Sequence, residues 1–171
     1  MKKVKKFELT NEFITNMFGT KLFRIRALVE FGDVEAGELG GYVEKESNLG
    51  HDDNAWVYDN AWVYGDAQVS GDARVCGNAR VYGDARVCGN GDYAYAHGFG
   101  SVNRTTTFFR LKDGGVGVRC GCFYGTLAQF RDKIRETHGE SAIAEEYLDL
   151  AALMEKRFRR TGNEQKTEEE S

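Results

Sequence analysis

The chain has 171 residues, 41% hydrophobic and 29% charged, with 23 basic against 27 acidic side chains and a formal net charge of −4. That is room for one domain or two small ones, and the mildly acidic balance gives no general case for nucleic-acid binding. No apolar run approaches the roughly eighteen residues of a membrane-spanning helix, and the basic start MKKVKKFELT lacks the apolar centre of a secretion signal.

In chain order, Lys6 to Thr10 and Glu12 to Asn16 read as short strands, and Lys21 to Val29 as a stronger one. In the last, Phe23, Ile25 and Ala27 share one side while Arg24 and Arg26 share the other. Phe18-Gly19-Thr20 supplies the turn. This hairpin, within residues 1–40, is expected to cap the open end of the element that follows, whose last strands would otherwise be bare. Val43 and Leu49 begin a six-residue spacing, with small Gly41 and Ser47 two places before them. From Leu49 to Val57 the step is eight, so two extra residues loop out near Gly50 to Asp53.

From Asp53 to Asn90 the chain repeats in sixes: DNAWVY, DNAWVY, GDAQVS, GDARVC, GNARVY, GDARVC, GN. Alternate residues of a strand face one side. Each A-x-V is therefore a short strand with Ala and Val inward and x outward, closed by a Gly-Asp, Gly-Asn or Asp-Asn corner that tolerates positive φ. A period of six does not keep one face of a 3.6-residue helical turn. The expectation is a solenoid over residues 41–100, about three coils long. If three hexads make one coil, as the resemblance of these hexads to the hexapeptide-repeat parallel β-helix family implies, stacking at eighteen places Val57 with Val75, Val63 with Val81 and Val69 with Val87. On the outside it predicts Tyr64 on Tyr82, Trp56 on Arg74, Trp62 on Arg80 and Gln68 on Arg86. Arg74, Arg80 and Arg86 fall on different faces and form no phosphate track. Tyr93 and Phe99 continue the register, but His97 does not suit the small inward slot, so the repeat is expected to end there.

After Gly100 the grammar changes. Val102 to Leu111 and Val116 to Tyr124 read as strands joined at Lys112-Asp113-Gly114-Gly115. Thr126-Leu127-Ala128-Gln129 reads as a capping box, opening a helix with Leu127, Phe130 and Ile134 on one face and Gly139 at its end. A second helix starts at Ser141, with Ile143, Tyr147, Leu150, Met154 and Phe158 as its apolar stripe. Residues 101–158 are thus an α+β module, and the polar residues 159–171 read as a disordered acidic tail. The whole is a mainly β protein. Cys120 and Cys122 would share one side of their strand. With Cys76 and Cys88 they read as reduced thiols, without the further ligands a zinc site needs, so no metal or cofactor is expected.

The hexads resemble the hexapeptide-repeat, left-handed parallel β-helix family, in which three hexads make one triangular coil. The resemblance implies the handedness, since parallel crossovers are ordinarily right-handed. GDVEAGELGGYV followed by NAWVY is similar to the opening of phage- and prophage-type members. GSVNRTTTFF, KDGG, CGCFYGTLAQF and ETHG resemble a module appended to such proteins in phages and their gut-bacterial hosts. That module brings no assigned chemistry with it.

Three functions follow as expectations. Acyl transfer, which the resemblance implies for many relatives, needs a general base, but His51, His97 and His138 lie at the first loop, the repeat's exit and a helix end. A structural oligomerisation module is a second reading. The favoured reading is a non-catalytic, phage-type binding protein in the cytoplasm of a host bacterium. It would be a dimer or trimer that inhibits a defence system by gripping a host protein or sequestering a nucleotide signal. Trp56, Tyr58, Trp62 and Tyr64 point outward together, which leaves two readings open: an interface, or a face covered by the N-terminal hairpin or the C-terminal helices. Asn103, Arg104, Thr105, Thr107, Arg110 and Arg119 supply donors suited to phosphate, and parity places Arg104 and Arg110 on one side of their strand.

Overall fold

The structure is a computed structural model that describes residues 4–100 and 104–170. It divides into two compact units, one through Asn90 and one from Gly91 onward. The boundary lies ten residues before the one expected, because Tyr93–Phe99 does not extend the repeat. It forms an antiparallel strand of the second unit, pairing Tyr93 with Phe109 and His97 with Thr105.

In the first unit, β1 (Phe7–Thr15) and β2 (Lys21–Ala27) form an antiparallel hairpin, with a register shift between Leu9 and Phe13. A single bulged strand therefore replaces the two short ones expected there. Strand β2 also pairs antiparallel with β3 (Leu39–Val43). The six hexads give two-residue strands: β4 (Trp56–Val57), β5 (Trp62–Val63), β6 (Gln68–Val69), β7 (Arg74–Val75), β8 (Arg80–Val81) and β9 (Arg86–Val87). They stack in parallel as β4 with β7, β5 with β8 and β6 with β9, so Val57 meets Val75, Val63 meets Val81 and Val69 meets Val87. These valines, and the alanines two before each, are at most 1% exposed. Val43 lies parallel to Val63 and Leu49 to Val69, twenty residues apart rather than eighteen. The two extra residues loop out between Leu49 and Val57. One mixed sheet runs β1-β2-β3-β5-β8.

The corners have a common chemistry. Gly65, Gly71, Gly77 and Gly83 have φ between 64° and 68°, and Asp59 takes the same place at φ 55°. Carboxylates of an earlier coil accept the corner amides: Asp53 Oδ2 from Gly71 N at 2.8 Å, Asp59 Oδ2 from Gly77 N at 2.9 Å and Glu44 Oε2 from Gly65 N at 2.7 Å. Buried Asn48 donates to the carbonyls of Gly65 and Ala67. The polar backbone of each bend is thus satisfied without closing the dry interior.

The second unit is a four-stranded antiparallel sheet with two helices. Its strands are β10 (Tyr93–Phe99), β11 (Arg104–Arg110), β12 (Val116–Cys120) and β13 (Phe123–Thr126), in sequence order. The strand expected from Val116 to Tyr124 breaks at Gly121, whose φ of 59° suits a two-residue hairpin turn. Helix α1 (Leu127–His138) opens on the Thr126–Gln129 box, with both reciprocal hydrogen bonds formed. Helix α2 (Ala142–Glu170) buries Tyr147, Leu150, Met154 and Phe158. Phe108 and Val118 of the sheet meet Phe130 and Ile134 of α1 and Ala151 of α2 in one core.

The tail read as disordered from residue 159 is instead helical to Glu170. Composition alone missed the partners that hold it. Thr161 is 5% exposed, Gln165 donates to Asp92 at 2.8 Å, and Arg160 pairs with Glu164 one turn on. Among the described residues, no helix is long and apolar enough to cross a membrane.

Candidate functional site

The outward aromatics of the repeat do not form an open patch. Trp56 is fully buried because Phe31 and Phe7 pack edge-on against its ring, at 5.2 and 6.3 Å between centroids. Gly40 lets the indole approach the backbone, since a β-carbon there would meet Trp56 at 2.8 Å. Tyr64 is 3% exposed, in a cluster with Leu22 and Tyr42. It stacks on Tyr82 at 4.4 Å, as the eighteen-residue spacing predicts. Trp62 is half-buried under Arg80, whose guanidinium lies 3.8 Å from the ring centroid. Tyr58 is half-buried too, and burial followed by the nearby Asp33 carboxylate pushes its phenol up. Arg74 aligns with Trp56 in register, but it donates to Asp33 at 2.8 Å. The repeat's parity is right, and of the two readings of these aromatics the covered one holds for Trp56 and Tyr64, because Phe7, Phe31, Leu22 and Tyr42 from segments before the repeat pack on them.

The donors named from sequence fall on both faces of their sheet, with Arg104 and Arg110 on one side as parity predicts. Even-numbered positions of β11 face the helices and odd-numbered ones face away, so Arg104 and Arg110 share a side while Thr105, Thr107 and Arg119 lie on the other. Arg110 is committed to structure. It donates to Asp92 at 2.9 Å, to the Phe158 carbonyl at 2.9 Å and to Thr161 Oγ1 at 3.0 Å. Thr105 shares a hydrogen bond of 2.8 Å with His97, and Thr107 and Arg119 are buried. Asn103 lies outside the described residues.

Arg104 is different. It is exposed and lines a cavity of about 580 Å³ inside the second unit. The cavity lies between the Gly121 turn and the two helices. Its mouth carries Arg104 from β11, Lys133 and Thr137 from α1, and Cys122 and Tyr124 around the turn, all exposed. Deeper lie Phe130, Ile134, Tyr147 and Cys120, between 3% and 9% exposed, with half-buried Phe123 beside them. His138, at the end of α1, stacks on Tyr147 at 5.9 Å. Among the described residues, none that lines the cavity is acidic.

Local sequence explains each placement. Lys133 and Thr137 are four apart on α1, so they share a face one turn from each other. Gly121 reverses the chain and turns Cys122 outward while Cys120 stays inside, so the two thiols do not share a strand face. Thr106 Oγ1 donates to Cys120 Sγ at 3.3 Å, and Cys120 Sγ reaches the Tyr147 hydroxyl at 3.9 Å. Burial, and then Cys120, push the Tyr147 phenol up to about 12, so it stays protonated at neutral pH. The Arg104 charge acts on the same phenol in the opposite direction.

Lys133, His138 and Tyr147 are absent from the sequence-based site. The spacing of Lys133 and Thr137 is a visible signal, but nothing local says that α2 and the Gly121 turn face it. Among the described residues, no three His, Cys, Asp or Glu side chains gather as a metal site.

No curated protein matches the chain. A family model described as YdcK Beta solenoid repeat matches residues 55–71, 67–79 and 73–89. These spans coincide with β4 to β9, so this part of the chain is a β-solenoid repeat.

Proposed function

We propose that the chain is a non-catalytic binding protein whose second unit captures a small anionic ligand. The observation that supports this is the cavity's charge: among the described residues, Arg104, Lys133 and His138 line it and no carboxylate does. Arg104 has no ion-pair partner among the described residues, and Lys133 has only a long surface contact of 3.8 Å with Glu136. A mouth of this kind concentrates anions and binds phosphate or carboxylate by charge-assisted hydrogen bonds. Its size lies in the ordinary range for small-molecule sites, roughly 300–1,000 Å³.

In this reading the repeat is a left-handed, three-sided coil of eighteen residues that serves as scaffold and assembles copies into a dimer or trimer. The phage setting and the role against a host defence system rest on the sequence resemblance. Sequestration of a nucleotide signal is the form of that role that suits the cavity.

Native mass spectrometry of the full chain purified from cells tests the reading. A copurified anion that Arg104→Ala releases is the expected result. Absence of any bound or titratable small anion in the native protein overturns it. A thermal shift with acetyl-CoA would restore the acyltransferase alternative.

A further inference from the structure

Resting on the small-anion reading, we propose that the cavity takes a nucleoside monophosphate ring-first, with its base inside and its phosphate at the mouth between Arg104 and Lys133. Three observations carry this orientation.

Charge and burial run in opposite directions along the cavity. Both long cationic side chains sit on the exposed rim, while Phe130, Ile134, Tyr147 and Cys120 make a nearly dry floor. An anion carried to that floor would lose its hydration with no cation to replace it. The charged end of a ligand therefore stays outside.

The floor is aromatic. Phe123 and Phe130 lie 5.6 Å apart at 47°, and Phe130 and Tyr147 lie 5.9 Å apart at 85°. Such walls favour a flat ring through offset and edge contacts.

The floor is also not purely hydrocarbon. The Tyr147 hydroxyl accepts from Cys120, and no acceptor for its own proton is found among the described residues. A plain hydrocarbon ring would leave that donor unmet in a dry site. The ring nitrogens and carbonyls of a nucleobase supply the acceptor it needs.

The test is calorimetric titration of the full chain with AMP, GMP, CMP and UMP, the matching nucleosides, and ribose 5-phosphate. At least one nucleotide is expected to bind once per chain, about 30-fold or more tighter than ribose 5-phosphate. Arg104→Ala or Lys133→Ala should weaken that nucleotide about tenfold or more and leave its nucleoside unchanged. Thr137→Trp, on the exposed rim, should block both without disturbing the core, and Ile134→Trp should do the same from within if its thermal melt stays cooperative. If ribose 5-phosphate binds as tightly as the nucleotides and still depends on Arg104, ring insertion is wrong while the small-anion reading stands. If none of the four nucleotides binds but another anion copurifies, this inference falls alone. If nothing binds by either measurement, both fall.

Discussion

The guanidinium of Arg104 lies across the bare α-carbon of Gly121, where a β-carbon would fall 1.9 Å from Nη1. The turn glycine therefore has two duties. It holds φ at 59° to reverse the chain between β12 and β13, and it leaves the space that Arg104 occupies at the cavity mouth. Gly121→Ala should cost about 1 kcal/mol of stability through its backbone. The clash itself is cheap to relieve, because the far end of a flexible side chain moves away. Ligand affinity should then fall toward that of Arg104→Ala, about tenfold. Urea unfolding and calorimetric titration on the same protein separate the two effects. A variant that loses stability but keeps full affinity would show that Arg104 is not positioned by this contact.

A different glycine has no such escape. At Gly71, φ is 65° and a β-carbon would stand 2.1 Å from the Cys88 carbonyl oxygen, which is backbone of the next coil. Gly71→Ala must spread two coils as well as strain its own corner. It should destabilise by more than about 2 kcal/mol. Gly89, near the end of the same repeat, has nothing within 4 Å and no positive φ, so Gly89→Ala should change stability by less than about 0.5 kcal/mol. Equal midpoints for the two variants in urea would contradict the stacked-corner geometry.

The contrast between these glycines also marks what the chain's pattern reveals. Val57 over Val75 and Tyr64 on Tyr82 are legible because a strand's period of two tells which residues turn inward, a repeat of six marks the sides of a coil, and the resemblance to three-hexad coils implies which residues stack. The Thr126–Gln129 box is legible because both partners are local. For Trp56 the pattern leaves cover and exposure both open, since the residues that cover it, Phe7 and Phe31, come from segments that do not repeat. The cavity is harder still. Arg104 and Cys120 arrive on strands, Lys133 and Tyr147 on two helices, and no spacing links the four. The helix beyond Arg159 was hidden for the same reason: a polar segment looks unstructured until Asp92 and Arg110, far back in the chain, are known to receive it.

Lys5 and Lys6 are neighbours in sequence with opposite energetic roles. Lys5 makes an exposed pair with Glu46, whereas Lys6 is 2% exposed and its ammonium donates to Asp53 O, Asp53 Oδ1 and Ala55 O at 3.0, 3.3 and 2.7 Å. It also lies 4.7 Å from the Phe31 ring centroid. Burial pulls its pKa below the usual lysine value, against the favourable pull of Asp53. This ammonium ties the start of β1 to the loop that carries the two extra residues. Lys6→Met would take the side-chain donor from two carbonyls and the counter-ion from the Asp53 carboxylate, which keeps its backbone donors Ala55 N and Gly71 N, and should cost about 3 kcal/mol. Lys5→Met should cost less than about 1 kcal/mol. Urea midpoints at neutral pH measure both, and a Lys6→Met loss no larger than that of Lys5→Met would mean water replaces the ammonium without penalty.

Tyr147 gives the cavity floor a signature in alkali. Burial, then Cys120, push its phenol up to about 12, whereas an unfolded chain releases that proton near the ordinary tyrosine value of 10. Between those two values the folded state keeps a proton that the unfolded state has lost. Its contribution to stability is therefore complete below pH 10 and is lost as the pH rises to about 12. Lys6 has the opposite sign, since the folded state gives up its proton first and stability rises with pH up to the unfolded lysine value. Comparing the native chain with Tyr147→Phe cancels the lysine. The native chain's unfolding free energy should fall more steeply than the variant's across pH 10–12, and its phenolate absorbance should show a late-titrating tyrosine that the variant lacks. Parallel pH profiles with no late phenolate would place Tyr147 in water, and the cavity would then have no dry floor.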